Sequence, residues 1–243
     1  MFDSDAYRPD EALIGDSPVI HRIWDQLQKA ALTEVPVLIT GESGTGKELA
    51  ARLLHSWSAR RANHFLKVSC PAISHQFFES ELYSYDQRSL PPKAFEAKVR
   101  RCEQADKGTL FLDEVGELDQ SLQPKLLYAL QDFQVVRLGG ADERPIDIRL
   151  ICATNRDLEA EVGNGRFRID LFYRINVVRI QMPPLRERIG DVPILMDHFI
   201  KLYSESFRTK CNPLRSSFVK MLESYRWPGN VRELEKWAKR YVV

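Results

Sequence analysis

Residues 35–47 read VPVLITGESGTGK: a short β-branched apolar run that breaks at Gly41 into a turn with glycines at 41, 44 and 46. Lys47 then opens KELAARLLHS (47–56), whose apolar positions recur at helical spacing. Strand, glycine-rich turn and helix, in that order, are the setting of a phosphate-binding loop. Glycines let the backbone curl until successive N–H groups surround phosphate oxygens, and the helix N-terminus adds partial positive charge. A lysine at position 47 reaches the β- and γ-phosphates. Gly41, Glu42, Ser43, Gly44, Thr45, Gly46, Lys47 and Glu48 are therefore the candidate nucleotide-binding residues. The residue after the lysine is Glu48, where the common motif has Ser or Thr to hold Mg²⁺, and Thr45 offers an alternative hydroxyl.

On either side of this loop, strand-like and helical stretches alternate. Pro18 to Leu32 is helical, FLKVS (65–69) and TLFLDE (109–114) read as strands, SLQPKLLYALQD (121–132) as a helix, and IRLICATN (148–155) as a further strand. Strands that are apolar throughout and alternate with helices imply a parallel sheet covered on both faces. Beyond Pro183 a proline-bounded connector, PPLRERIGDVP (183–193), leads into helical stretches at 191–207, 214–225 and 230–242, with no strand candidate among them. The expected fold is α/β with a parallel sheet over residues 1–183, followed by a small α-helical lid over 184–243.

Composition agrees with that reading. The chain has 243 residues, 35 Lys and Arg against 34 Asp and Glu, and a net charge of +1. A near-neutral balance argues against a polybasic nucleic-acid or membrane-surface protein. No apolar run reaches the roughly 18–20 residues of a membrane span, so no membrane partner is expected. Cys70, Cys102, Cys152 and Cys211 lie far apart with no CxxC pair, the pattern of reduced cytosolic thiols, and the expected location is cytoplasmic.

Three further stretches carry chemistry. TLFLDE places Asp113 and Glu114 where a buried strand emerges, roughly where a phosphate-binding fold needs a carboxylate for Mg²⁺ and a general base for water. Two acids ending a strand also suit a solvated edge. Thr154 and Asn155 end another core strand, within reach of a γ-phosphate or lytic water, although Asn155 equally suits a helix cap. FRIDLFYR (167–174) holds Arg168 and Arg174, whose planar forks suit the charge on a transferring phosphoryl group; surface arginines are common too. Trp227 and Trp237 read as core residues.

GESGTGKE, ESEL (79–82), EQADKGTLFLDEVGEL (103–118), ATNRDL (153–158), FRIDLFYR, PPLRER (183–188) and WPGNVREL (227–234) together resemble the AAA+ domain of bacterial enhancer-binding proteins, the ATPases that activate sigma-54 RNA polymerase. The likeness runs from about Leu13 to Arg240. It implies that Gly41–Glu48 is a Walker A motif, in which that family carries Glu after the lysine. By the same resemblance Asp113 and Glu114 are the Walker B pair, for Mg²⁺ and water activation respectively, and Thr154 with Asn155 is sensor I. Arg168 and Arg174 match arginine fingers supplied to a neighbouring subunit, and Arg232 matches sensor II. The implied cofactors are ATP and Mg²⁺, and the implied assembly is a homo-oligomeric, hexameric ring that engages RNA polymerase with a sigma factor. DNA contact is expected only through a helix-turn-helix outside this chain, which reads as the central domain of a longer regulator.

Two departures from the family pattern are informative. The family's GAFTGA loop falls in the interval that here reads YSYDQRSLPPKAFEAKVRRC (83–102), with no GAFTGA; KAFEA (93–97) is only an echo of it. Pro91 and Pro92 remove N–H donors where a moving loop needs glycine freedom. Secondly, Ser69 stands where the family has an Asn that holds the Walker B glutamate away from water. Both changes fall on coupling parts and leave the nucleotide-binding parts intact. The favoured expectation is an ATP-binding regulator that works independently of sigma-54, with cyclic di-GMP a candidate effector. The alternatives are a sigma-54 activator with a degenerate contact loop and a non-hydrolysing module whose assembly nucleotide controls.

Overall fold

The computed structural model describes residues 13–72, 106–132, 134–136, 143–145, 147–209, 214 and 216–243. The 83–102 interval and ESEL, which carry the first departure and part of the resemblance, lie outside the described residues. Along the chain run α1 (Pro18–Ala31), β1 (Val37–Thr40), α2 (Lys47–Ser56), β2 (Phe65–Ser69), β3 (Thr109–Asp113), α3 (Gln123–Asp132), β4 (Gln134–Val136), β5 (Glu143–Pro145) and β6 (Arg149–Thr154). Then come α4 (Leu158–Gly163), α5 (Ile169–Ile175), β7 (Val178–Gln181), α6 (Val192–Phe207), α7 (Ser216–Ser224) and α8 (Asn230–Val242).

Five strands form one parallel sheet in the order β2-β3-β6-β1-β7. β1 and β6 are buried at every position, as strands covered on both faces must be. One face packs Leu38, Leu112, Leu150 and Cys152 against α3 and α5; the other packs Val37, Ile39, Phe111 and Ile151 against α1 and α2. Arg149 is fully buried, and its guanidinium donates to the carbonyls of Ala30, Ala31 and Leu54, near the C-terminal ends of α1 and α2. A cation there satisfies carbonyls that each helix leaves without an internal partner.

β7 was not foreseen: VRIQ alternates exposed and buried residues, because it is an edge strand paired only with β1. The antiparallel β4–β5 pair was also missed. The helices expected beyond Pro183 are present. They close a third core in which Leu185, Val192, Met196, Leu222, Leu234 and Ala238 surround Trp227. Trp227 is 1% exposed and donates its indole N–H to the Leu222 carbonyl. Trp237, expected in the core, is instead 38% exposed on the outer side of α8 against Phe218.

Because the strands are parallel and in register, with Thr40 beside Thr154 and Ser69 beside Asp113, their C-terminal ends share one edge of the sheet. Ligand sites of open α/β sheets form at that edge. It carries the glycine-rich loop after β1, the acids after β3 and the polar residues after β6.

Candidate functional site

The loop after β1 turns through Gly44 at φ 81° and Gly46 at φ 98°, a left-handed backbone that side chains with a Cβ rarely adopt. A Cβ on Gly44 would also collide with the carbonyl oxygen of Gly229, at the start of α8. Lys47 follows as the first residue of α2 and is 7% exposed. Its ammonium donates to the Gly41 carbonyl at 2.9 Å and sits 3.3 Å from Glu114 Oε1. Thr45 is not a spare hydroxyl. Its Oγ1 donates to the Glu42 carbonyl at 2.8 Å, and the residue is buried within the turn.

Asp113 ends β3, and the backbone then swings left-handed at Glu114, with φ 55° and ψ 51°. That conformation is costly for a glutamate, on the order of 1–3 kcal/mol. It turns the carboxylate back toward the loop: Oε1 meets Lys47 while Oε2 accepts the Asn155 backbone N–H at 2.9 Å. Gly116 makes this turn possible, since a Cβ there would stand 2.6 Å from Thr154 Oγ1. Among the described residues no hydrogen bond joins Ser69 to Glu114. The glutamate is held instead by the loop lysine and the end of β6.

The sequence-based reading of 154–155 needs adjusting. Thr154 is fully buried, and its Oγ1 accepts the Arg156 N–H at 3.1 Å. Asn155 contributes its backbone to Glu114 but does not cap α4. Asp157 does that, accepting from the N–H groups of Glu159 and Ala160. Arg168 precedes α5 and pairs with Asp170 at 2.7 Å, while Arg174 Nη2 donates to the Leu130 carbonyl at 2.6 Å. Neither lines the cavity beside the loop.

The helical region grips the loop directly. Asn230, fully buried with φ 54°, donates to Glu42 Oε2 at 3.1 Å and to the Ser43 carbonyl at 3.0 Å, and accepts the Leu185 N–H at 2.8 Å. Arg232 donates to Ser43 Oγ at 2.9 Å, and the Val231 N–H reaches the Gly44 carbonyl at 3.0 Å. Arg186 closes a fork on Glu42 at 2.6 and 2.9 Å. The Arg186 and Asn230 hydrogen bonds hold the Glu42 carboxyl below its ordinary range. Asn230 and Arg186 were not singled out from sequence. The only available signal was their place inside WPGNVREL and PPLRER.

Between loop and helices lies a cavity of about 580 Å³. Its apolar lining includes Leu13, Ile14, Phe199 and Val231, while the polar part includes Gly44–Gly46, Arg52 and Arg232 together with the carboxylates of Glu48 and Glu235. That volume is in the ordinary range for a small-molecule site. Arg188 is also in the wall, 2% exposed, with Nε and Nη1 unpartnered and Asp191 4.0 Å away. Burial lowers the affinity of its guanidinium for the proton. Asp191 in turn accepts the N–H groups of Asp16 and Ser17 and the Ser17 hydroxyl, fixing the entry of α1. Cys70 and Cys152 are buried and free, and burial together with Asp113 and Glu114 pushes the Cys70 thiol up to about 12. Such a thiol is inert at neutral pH. Cys102 and Cys211 lie outside the described residues. Among the described residues no helix is long and apolar enough to cross a membrane.

Comparison with known proteins places this arrangement. Residues 13–181 match the model of the sigma-54 interaction domain, and residues 186–243 match that of the AAA+ ATPase lid domain. The chain is 42% identical over 231 residues to the transcriptional regulatory protein ZraR of Salmonella typhimurium, covering 95% of this chain and 52% of ZraR. It is 42% identical over 239 residues to the Nif-specific regulatory protein of Azotobacter vinelandii, covering 98% and 45%. The chain thus spans about half the length of the curated relatives it matches. The crystal structure of NtrX from Brucella abortus in complex with ADP superposes with a TM-score of 0.86 at 34% identity, over 95% of this chain and 51% of NtrX.

Proposed function

This chain belongs to the sigma-54 interaction domain family of AAA+ proteins, and from that membership and its site we propose that it is the ATP-binding and ATP-hydrolysing central domain of a bacterial transcription regulator. The observation that carries the reading is the convergence of the glycine-rich loop and the helical region on one cavity, with Lys47 at the end of that loop paired to Glu114. Its apolar lining suits a purine, and the loop N–H groups with Lys47 and Arg232 suit a polyphosphate. The boundary between the α/β part and the lid falls at 183/184, and the expected location is cytoplasmic.

Glu48 and Asp113 already share one cation, the Lys67 ammonium at 2.6 and 3.1 Å, so this pair of carboxylates fits a divalent ion. Glu48 and Asp113 would hold Mg²⁺, which would supply neutralisation of the charge developing on the transferred group. Lys47 leaves Glu114 for the phosphates, and the freed carboxylate orients and deprotonates the attacking water. Asn155 positions Glu114 through its backbone. Arg232 trades Ser43 Oγ for a phosphate oxygen. Arg168 and Arg174 are outside the lining of their own cavity, which is compatible with a role as fingers for the neighbouring protomer in a hexameric ring.

The bond from Asn155 to Glu114 has a second consequence. Release of the glutamate depends on nucleotide displacing Lys47 rather than on a switch at residue 69. Together with the sequence of 83–102, this supports a regulator whose output is independent of sigma-54, working with RNA polymerase through another sigma factor. Cyclic di-GMP is a candidate effector; the buried Arg188, whose Nε has no hydrogen-bond partner, and the arginines at 52 and 232 in the cavity wall suit an anionic dinucleotide. The competing reading, a sigma-54 activator with a degenerate loop, is favoured by the match of residues 13–181 to the sigma-54 interaction domain. ATP turnover measured against protein concentration, with and without cyclic di-GMP, tests catalysis, assembly and effector together. Turnover that rises more than linearly with concentration and disappears in Glu114→Gln supports the proposal. No turnover at any concentration, with ATP still bound, leaves a non-hydrolysing module. Open-complex formation on a sigma-54 promoter by the full regulator favours the competing reading.

A further inference from the structure

Lys67 has no part in the scheme above, yet it stands where the metal belongs. It lies on β2, the edge strand, in register with Phe111 and on the same face as Ser69, the neighbour of Asp113. Its ammonium bridges Glu48 Oε2 at 2.6 Å and Asp113 Oδ2 at 3.1 Å. In phosphate-binding-loop proteins the residue after the loop lysine and an acid ending a core strand are the two protein positions that hold the divalent ion. Here the first of these is a carboxylate rather than a hydroxyl, so the notch carries two negative charges. Arg52 occupies the other oxygen of Glu48, Oε1, at 3.1 Å, which leaves Oε2 directed at Lys67.

Mg²⁺ requires oxygen ligands at about 2.0–2.1 Å, and an ammonium already within hydrogen-bond distance of both oxygens fills the same space. The two cations exclude each other by contact and by charge. A lysine can yield because its charge sits on a flexible four-carbon stem. Incoming phosphates supply it with new acceptors as the metal takes its place.

We propose that Lys67 is a built-in counter-ion that fills the notch between Glu48 and Asp113 in the nucleotide-free protein, so that a free divalent ion is refused and the metal enters only with a nucleotide. Lys67 is thus a positioning residue that sets the order of binding. The inference rests on the nucleotide-binding reading above. The test is a Mn²⁺ titration of the nucleotide-free chain, followed by electron paramagnetic resonance, on wild type, Lys67→Met and Lys67→Arg.

Removing the charge is expected to tighten Mn²⁺ binding by about tenfold or more, whereas Lys67→Arg, which keeps it, stays as weak as wild type. Millimolar MgCl₂ without nucleotide then raises the melting temperature of Lys67→Met and not that of wild type. Equal Mn²⁺ affinity in wild type and Lys67→Met overturns the proposal. Lys67 is half-exposed on an edge strand, so the core does not depend on it; Lys67→Gln substitutes if the Met variant is unstable. Loss of the fold in both variants would make Lys67 a structural residue and also overturn it. Wild type that binds no ATP refutes the nucleotide reading itself; wild type that binds ATP, with no gain in Lys67→Met, refutes only the counter-ion.

Discussion

Asn230→Ala measures how firmly the helical region and the phosphate-binding loop act as one unit. The side chain is 0% exposed and makes three bonds, one to Leu185 and two to the loop. Truncation strands the buried Leu185 N–H, which costs about 1–3 kcal/mol. Ser43 and Glu42 each lose a donor, but Glu42 keeps both bonds from Arg186, so the pair contributes about 1 kcal/mol. The backbone at 230 is left-handed, which Asn tolerates and Ala resists by about 1 kcal/mol. The sum is about 3–5 kcal/mol. At roughly 2–4 °C per kcal/mol for a chain of this size, the variant melts about 6–20 °C below wild type. Asn230→Asp keeps the acceptor for Leu185 and the left-handed tolerance but faces the Glu42 carboxylate, so it melts between the two. Thermal unfolding followed by circular dichroism reads all three proteins. An Asn230→Ala midpoint within about 2 °C of wild type would show that these contacts carry little of the seam.

Other outcomes follow from the same geometry. Lys47→Ala abolishes ATP binding by isothermal titration, because it removes the one cationic side chain of residues 41–48; retained affinity defeats the assignment of the loop. Arg168→Ala and Arg174→Ala lower turnover more than ATP affinity. Mixing either with Glu114→Gln restores part of the activity if the arginines act on a neighbour's nucleotide, and absence of rescue counts against a shared site. The Glu42 carboxyl is held below its ordinary 4.5 by Arg186 and Asn230, so its contribution is present above that value and is lost as pH falls through the lowered one. The stability gap between wild type and Glu42→Gln therefore persists at neutral pH and closes only in acid below about 4.5; a gap that widens on acidification reverses the sign and refutes the tie.

How much of this was legible in the sequence depends on whether a signal was local. The strand, glycine turn and helix at 35–56 are adjacent in the chain, so their pattern alone identified the loop. Asp113 and Glu114 were found because an apolar strand ends abruptly in two acids. The meeting of Lys47 with Glu114 across 67 positions was an expectation that parallel strand order turns into a contact of 3.3 Å. β7 escaped notice because an edge strand with one neighbour loses the apolar continuity that marks central strands. Lys67 escaped because a lysine in an alternating strand reads as a solvated face; only the folded structure brings its ammonium to Asp113, two positions along the neighbouring strand from its register partner Phe111. Asn230 escaped for a different reason. Its three partners are separated from it by 45, 187 and 188 positions, and no periodicity encodes such contacts.

The grip of Asp191 on Asp16 and Ser17 bears on how force would travel through the molecule. A carboxylate from the far end of the connector holds the backbone two residues after Ile14, and Ile14 with Leu13 forms part of the cavity wall. Slack is therefore missing at that point. A pull on the polypeptide upstream of Leu13 must either break three hydrogen bonds or drag the apolar side of the cleft with it, which makes this short entry a mechanical lever on the nucleotide's resting place.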